Sequence, residues 1–247
     1  MSLASFRKIT DSLVGVTEYI YLHLMGEPLT HPDVYEMIAY ASSRGFKCAI
    51  TTNGLLLPDE AERLIASGIY KVSISLHSFE DNDNDAHRRY LDGCFDFADK
   101  ASRAGILCVM RLWNRGHDGG KNGECLSLLE KRFGGNFLES ARGVRIRDKL
   151  HLEYGDRFEW PSMTAQDLGD EVFCYGLKDH FGILCDGTVV PCCLDSDGTI
   201  ALGNALDEPI EAILTSPRAV AMREAFKCRR ASEQLCRRCG YARRFSK

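Results

Sequence analysis

Between residues 18 and 153 the hydrophobic pattern switches repeatedly between two periods, and that alternation restricts the fold of the 247-residue chain more than any other feature. Residues 18–24, Glu-Tyr-Ile-Tyr-Leu-His-Leu, read as a strand. Pro32 suits the start of a helix, and Val34, Met37, Ile38 and Ala41 give an apolar helical face that stops near Gly45. Residues 47–52 are strand-like, and Pro58 opens a helix with Ala61, Leu64 and Ile65 on one side and Gly68 at its end. Residues 70–76 form a third strand, 88–104 a helix closed by Gly105, and 106–112 a fourth strand. A helix at 122–133 and a weaker strand at 144–153 complete the series. Strands and helices alternating at this spacing predict an α/β fold, with a parallel sheet and right-handed crossovers, either barrel or open doubly wound sheet.

The pattern changes after a connector at 155–173, where Gly155, Pro161, Ser162 and several acids show no period. Residues 181–192 read as a β-hairpin turning at Asp186-Gly187, a helix follows at 209–227, and Cys-Arg-Arg-Cys lies close to the end. Two domains are therefore expected, 1–155 and 156–247, the second a small Cys-rich module. The net charge of −4 gives no general bias toward nucleic acid. The basic tail (Lys227, Arg229, Arg230, Arg237, Arg238, Arg243, Arg244 and Lys247) is read as a solvated surface partly offsetting thiolate charge, in preference to a nucleic-acid site. No apolar run approaches the ~18 residues of a membrane span, and the N-terminus shows no basic-then-apolar leader, so a cytoplasmic protein is expected.

In a reducing compartment eleven cysteines point to metal ligation rather than disulfides, and seven of them fall between 174 and 239. Twelve residues separate Cys174 from Gly187 and four more lead to Cys192, while Cys236 and Cys239 form Cys-x-x-Cys. Such a turn aims two thiolates at one centre, and the hairpin can bring two more; zinc and a four-iron cluster both suit four thiolates. Cys192 is preferred to its neighbour Cys193 because successive strand residues face opposite sides. Cys185 and Cys228 read as buried thiols. In the first domain the polar oddities follow strands: Met25-Gly26-Glu27-Pro28, Thr51-Thr52-Asn53-Gly54, Ser75 and His77, then Arg111, Trp113 and Asn114. Ligands of parallel α/β folds bind at those strand ends, so the four loops suggest a rim for a polar small molecule. Glu153, Tyr154, His151 and His77 are candidates for a substrate base, with nothing to choose among them.

Gly26-Glu27-Pro28, Thr52-Asn53-Gly54 and Ile74-Ser75-Leu76-His77 resemble the corresponding stretches of radical S-adenosylmethionine (radical SAM) enzymes. The spacing from Cys174 to Cys192, then Gly203-Asn204 and Cys-x-x-Cys, is similar to the SPASM/twitch extension, in its form with one auxiliary four-iron cluster. The resemblance implies a partial (β/α) barrel lacking its first strand, with S-adenosylmethionine bound by Met25, Gly26, Glu27, Asn53, Ser75 and Arg111. It implies an auxiliary 4Fe–4S cluster on Cys174, Cys192, Cys236 and Cys239, favoured over zinc, which would suit a non-catalytic binding protein. It also implies oxidation or modification of a sugar, peptide or other metabolite, with an electron donor such as flavodoxin or ferredoxin. The family's Cys-x-x-x-Cys-x-x-Cys is absent from these residues, which is read as truncation or degeneracy. The chain alone is therefore expected not to cleave S-adenosylmethionine, and strand 18–24 is expected to be an open edge that favours a homodimer.

Overall fold

The computed structural model describes residues 1–79 and 83–245, the side chains of 244 and 245 excepted. Of the basic tail, Lys247 and the side chain of Arg244 lie outside the described residues. The chain divides into two compact units, one of residues 17–157 and the other of 1–16 with 158–247. Helix α1 (Leu3–Ser12) belongs to the second of these; Ser2 caps it by accepting the Ser5 N–H at 3.1 Å, and it buries Phe6, Ile9 and Thr10.

In the unit of 17–157 the alternation read from the sequence is realised in order. It runs β1 (Tyr19–Tyr21), α2 (Val34–Ser43), β2 (Lys47–Thr52), α3 (Leu57–Ala66), β3 (Lys71–Ser75), α4 (Asn84–Arg103), β4 (Leu107–Arg115) and α5 (Lys121–Phe133). Three more strands follow, β5 (Leu138–Ser140), β6 (Gly143–Arg147) and β7 (Leu150–Asp156). The seven-stranded sheet has the order β1-β2-β3-β4-β7-β6-β5, parallel from β1 through β4 to β7 and antiparallel from β7 to β5. The α/β class with a mainly parallel sheet is thus as expected. Val72 and Ile74 of β3 and Cys108, Met110 and Leu112 of β4 are buried on one face of the sheet, as strand alternation requires. Helix α4 starts at Asp83, whose carboxylate takes the Ala86 N–H at 2.9 Å, and buries Leu91, Cys94, Phe95 and Ala98.

The single strand expected at 144–153 is instead two, reversing at Asp148-Lys149, where Lys149 has φ +60°. Val144, Ile146, Leu150 and Leu152 keep one two-residue alternation across the turn, so the period could not reveal the reversal. No helix among the described residues is long and apolar enough to cross a membrane.

In the other unit β8 (Gly182–Ile183), β9 (Thr188–Val190) and β10 (Gly203–Asn204) form an antiparallel sheet of order β10-β9-β8. Gly187 makes the tight turn between β8 and β9 at φ +91°; a Cβ there would collide with Asn204 Oδ1 and Leu206. The helix expected at 209–227 is two, α6 (Ile210–Leu214) and α7 (Pro217–Lys227). Ser216 breaks it by capping α7 through the Ala219 N–H, with Pro217 in the first turn. A last short helix, α8 (Gln234–Arg237), carries Cys236. Val172, Ile200, Ala219, Met222, Phe226 and Leu235 form the core, and Cys174, Cys236 and Cys239 pack against it.

Candidate cluster and cofactor sites

Cys174, Cys192, Cys236 and Cys239 line one cavity, with Val172, Leu194, Ile200, Phe226 and Leu235 as much of its apolar wall. They arrive from the loop before β8, the segment after β9, and the α8 turn, where the Cys239 N–H donates to the Cys236 carbonyl at 3.3 Å. Cys193 is exposed and does not line the cavity. Cys185 and Cys228, read as buried thiols, are exposed as well; each sits at a turn or helix end rather than in the core.

Backbone amides already point at the sulfurs. The Gly176 N–H meets Cys174 Sγ at 3.3 Å, and a Cβ on Gly176 would stand 3.3 Å from the same sulfur and 3.1 Å from the Pro191 carbonyl. Amides of Leu194, and of Ala242 and Tyr241, act in the same way on Cys192 and Cys239. Burial dominates without a cation: it raises all four thiols, Cys192 to about 12, and their mutual repulsion adds to this for Cys174, Cys192 and Cys236. Thiolates in this wall therefore need positive charge between them, which iron or zinc would supply. Among the described residues no three His, Cys, Asp or Glu side chains are placed to hold a single metal ion, and the four cysteines share the lining of one cavity. The donor set and the N–H···S bonds fit a cluster.

Asp195, buried to 1% exposure beside this cavity, gives no metal-ligand signal in the sequence. Its two carboxylate oxygens accept the N–H groups of Thr199 and Ile200 at 2.9 and 2.8 Å, which locks the loop after Cys192.

The strand-end residues of the other unit are drawn together by hydrogen bonds across the rim. Glu27 Oε1 accepts the Leu29 N–H at 3.1 Å, capping a short 3-10 turn at Pro28–Thr30. Its Oε2 accepts the Asn53 N–H at 2.7 Å, so one carboxylate ties the loop after β1 to the loop after β2. Met25, 61% exposed, and Gly26, at φ +81°, immediately precede Glu27 in the same loop. Gly54 has φ +85°, and a Cβ there would lie 2.7 Å from Cys94 Sγ, so only glycine fits the turn.

Tyr90 of α4 was not singled out in the sequence, where it is one of several apolar helix positions. Its hydroxyl lies 2.7 Å from the Asn53 carbonyl and 3.0 Å from the Ser75 carbonyl, and its one proton is shared between them. Burial raises its pKa, so it remains a donor. The tyrosine thus fixes the ends of β2 and β3 from below.

Arg111 is directly opposite Ser75 in the β3–β4 register, its guanidinium 4.8 Å from the centre of the Trp113 ring, with Nη1 donating to Thr51 Oγ1 at 3.3 Å. Thr51 is in turn held by His23. The Thr51 N–H donates to His23 Nδ1 at 2.9 Å, which assigns the ring proton to Nε2, 3.1 Å from Thr51 Oγ1. His77 Nδ1 stands 3.2 Å from the Arg111 carbonyl and 3.4 Å from the Trp113 nitrogen, donating to the first or accepting from the second according to its tautomer, and in either form staples the strand ends. His151 and Glu153 lie on β7, Glu153 opposite Arg111, while the Tyr154 ring sits under Arg115 at 5.1 Å. Met25, Gly26, Glu27, Asn53, Ser75 and Arg111 therefore share one rim, and the four cysteines share one cavity.

A model of the radical SAM superfamily matches residues 1–113, and a model of the SPASM iron–sulfur cluster-binding domain matches 174–240. AdoMet-dependent heme synthase of Nitratidesulfovibrio vulgaris is 36% identical over 83 residues, 33% of this chain and 23% of the relative. Mycofactocin maturase MftC of Mycobacterium tuberculosis is 38% identical over 103 residues, 41% of this chain and 26% of the relative. The chain thus matches about a quarter of the length of these curated relatives. Among solved structures, BtrN in complex with AdoMet and 2-DOIA superposes with a TM-score of 0.59 at 16% identity, covering 97% of this chain and 80% of BtrN. SuiB of Streptococcus suis bound to its precursor peptide SuiA gives 0.55 at 14% identity, covering 96% and 64%. At such identities the likeness is one of fold.

Proposed function

Because this chain belongs to the radical SAM superfamily and carries a SPASM iron–sulfur region, we propose that it binds S-adenosylmethionine at the strand-end rim and an auxiliary four-iron cluster in the cysteine cavity. It would do so as part of an enzyme that oxidises or otherwise modifies a peptide, sugar or other metabolite. The observation that carries this reading is the convergence of four thiols, from three separate segments, on one apolar cavity. Apolar walls and N–H···S bonds tune the potential of such a cluster, and four cysteine ligands leave no open iron, which suits structure or electron relay. Flavodoxin or ferredoxin is the proposed electron donor.

At the rim, the peptide groups of Met25 and Gly26 would meet the methionine end of S-adenosylmethionine, while Glu27 holds their loop in place and keeps lone pairs for the ammonium. Arg111 offers a forked donor for the carboxylate, and Ser75 and Asn53 bound the nucleoside side. S-adenosylmethionine held there would supply hydrogen-atom abstraction from a substrate only together with a second cluster that has an open iron, which these residues do not provide. The 247 residues contain no Cys-x-x-x-Cys-x-x-Cys, so these residues alone are proposed to bind S-adenosylmethionine without cleaving it. BtrN is bound to AdoMet and 2-DOIA and SuiB to the precursor peptide SuiA, and the proposed substrate range includes both small molecules and peptides.

Anaerobic reconstitution tests the cavity. About four iron and four sulfide per chain are expected, with iron content at least roughly halved in Cys192→Ser and retained in Cys193→Ser. One zinc with no sulfide would support the zinc-stabilised binding protein instead. Equal loss in the two variants would reject the ligand set.

A further inference from the structure

Lys71 opens β3 and shares a sheet face with Ser73 and Ser75. Its register neighbours on that face are Ala49 and Leu107, so nothing polar flanks it on the adjoining strands. Its charge is nonetheless felt by polar groups from all across the sheet. Arg111 of β4, Glu153 of β7 and Arg142 before β6 act on Lys71, and Lys71 acts on His23 after β1 and on His151 of β7. The register places Lys71 on the same sheet face as Arg111 and Glu153, since Ser75 is opposite Arg111, and Arg111 is opposite Glu153. It is half-buried, and among the described residues it makes no hydrogen bond and no ion pair. Burial and the Arg111 charge hold its pKa below the usual lysine range, with Glu153 acting against them. Positive charge on the face thus exceeds negative: Lys71, Arg111 and Arg142 stand against Glu153, and burial keeps the His23 ring neutral. A half-buried cation without a partner is costly unless a ligand supplies one.

We propose that Lys71 is a specificity-determining residue that receives an oxyanion of the substrate, a carboxylate or a phosphate, on the sheet face below the rim. Ser73, next along the same face, adds a hydroxyl donor. The inference rests on the reading of the rim as the S-adenosylmethionine site and assigns the substrate an anionic group positioned below it. Glu153, opposite Arg111, limits the anion's approach on the β7 side.

Acylation of the full chain by N-hydroxysuccinimidyl acetate, read peptide by peptide by mass spectrometry, tests this. Succinate and, separately, inorganic phosphate should slow acylation of Lys71 saturably by roughly fivefold or more, with no effect at the exposed Lys100. Protection by only one of the two probes identifies the group as carboxylate or phosphate. In calorimetry Lys71→Met should abolish probe binding, Lys71→Arg should retain it and Glu153→Gln should tighten it. S-adenosylmethionine binding by equilibrium dialysis should be unchanged in Lys71→Met and Lys71→Arg. Absence of protection by either probe overturns the proposal, and so does loss of S-adenosylmethionine affinity in Lys71→Met, which would assign the lysine to the cofactor. Failure of the unsubstituted chain to bind S-adenosylmethionine would instead defeat the reading of the rim, with the protection of Lys71 still measurable.

Discussion

Burial, and then the charges of Arg111 and Lys71, bring the pKa of His23 from 6.5 down to about 4. The ring is therefore neutral at physiological pH, and its Nδ1 can accept the Thr51 N–H that holds the rim together. Because the folded pKa is depressed, stability from this ring is fully present above pH 6.5. It falls as the unfolded chain takes up a proton that the native ring refuses, down to about pH 4, below which both states are protonated. The loss attributable to His23 is at most about 3 kcal/mol over that window. Urea denaturation between pH 7 and 4 should show this slope, and His23→Gln should flatten it; parallel profiles for the two proteins would refute the assignment. Nothing in the sequence announces this histidine, since Tyr-Leu-His-Leu reads only as strand alternation. The four cysteines were legible because their chemistry is rare and their spacing local, whereas the roles of Tyr90 and Asp195 depend on partners fixed only by folding.

Among secondary elements, β2, β3, α2 and α5 fall close to their sequence boundaries because each has a buried apolar run or face and a glycine or proline near an end. The pair β5–β6 was not legible: β5 is exposed throughout, so no apolar period marks it. Strand β1 presents another consequence of exposure. It pairs with β2 on one side and with no strand on the other among the described residues, and it exposes Tyr19 and Tyr21. Such an edge can pair with a second copy. Light scattering of the 247-residue chain should show concentration-dependent dimerisation, weakened about tenfold by Tyr21→Lys, which sets like charges beside the edge. A monomer at every concentration would argue against association through β1.

Across the whole molecule, the four thiols proposed as ligands all belong to the unit of 1–16 and 158–247, whereas the rim belongs entirely to residues 17–157. A bound cluster stabilises the fold that holds it. Hydrogen exchange after iron removal should therefore accelerate by about tenfold or more for amides of residues 174–239 and stay unchanged for β2, β3 and β4. Uniform acceleration in both units would show that the cluster supports the molecule as one cooperative body.

The discontinuity of that cysteine-bearing unit also orders events during synthesis. Helix α1 is made before residues 17–157, and its Lys8 Nζ donates to the Leu206 carbonyl at 2.6 Å, a partner translated 198 residues later. At elongation rates of roughly 5–20 residues per second, α1 waits about ten seconds or more for its partner. Residues 17–157 can meanwhile complete their sheet as they leave the ribosome. The unit that holds α1 thus closes after residues 17–157 have been made, and a cluster on the four proposed cysteines could form only once Cys239 has emerged.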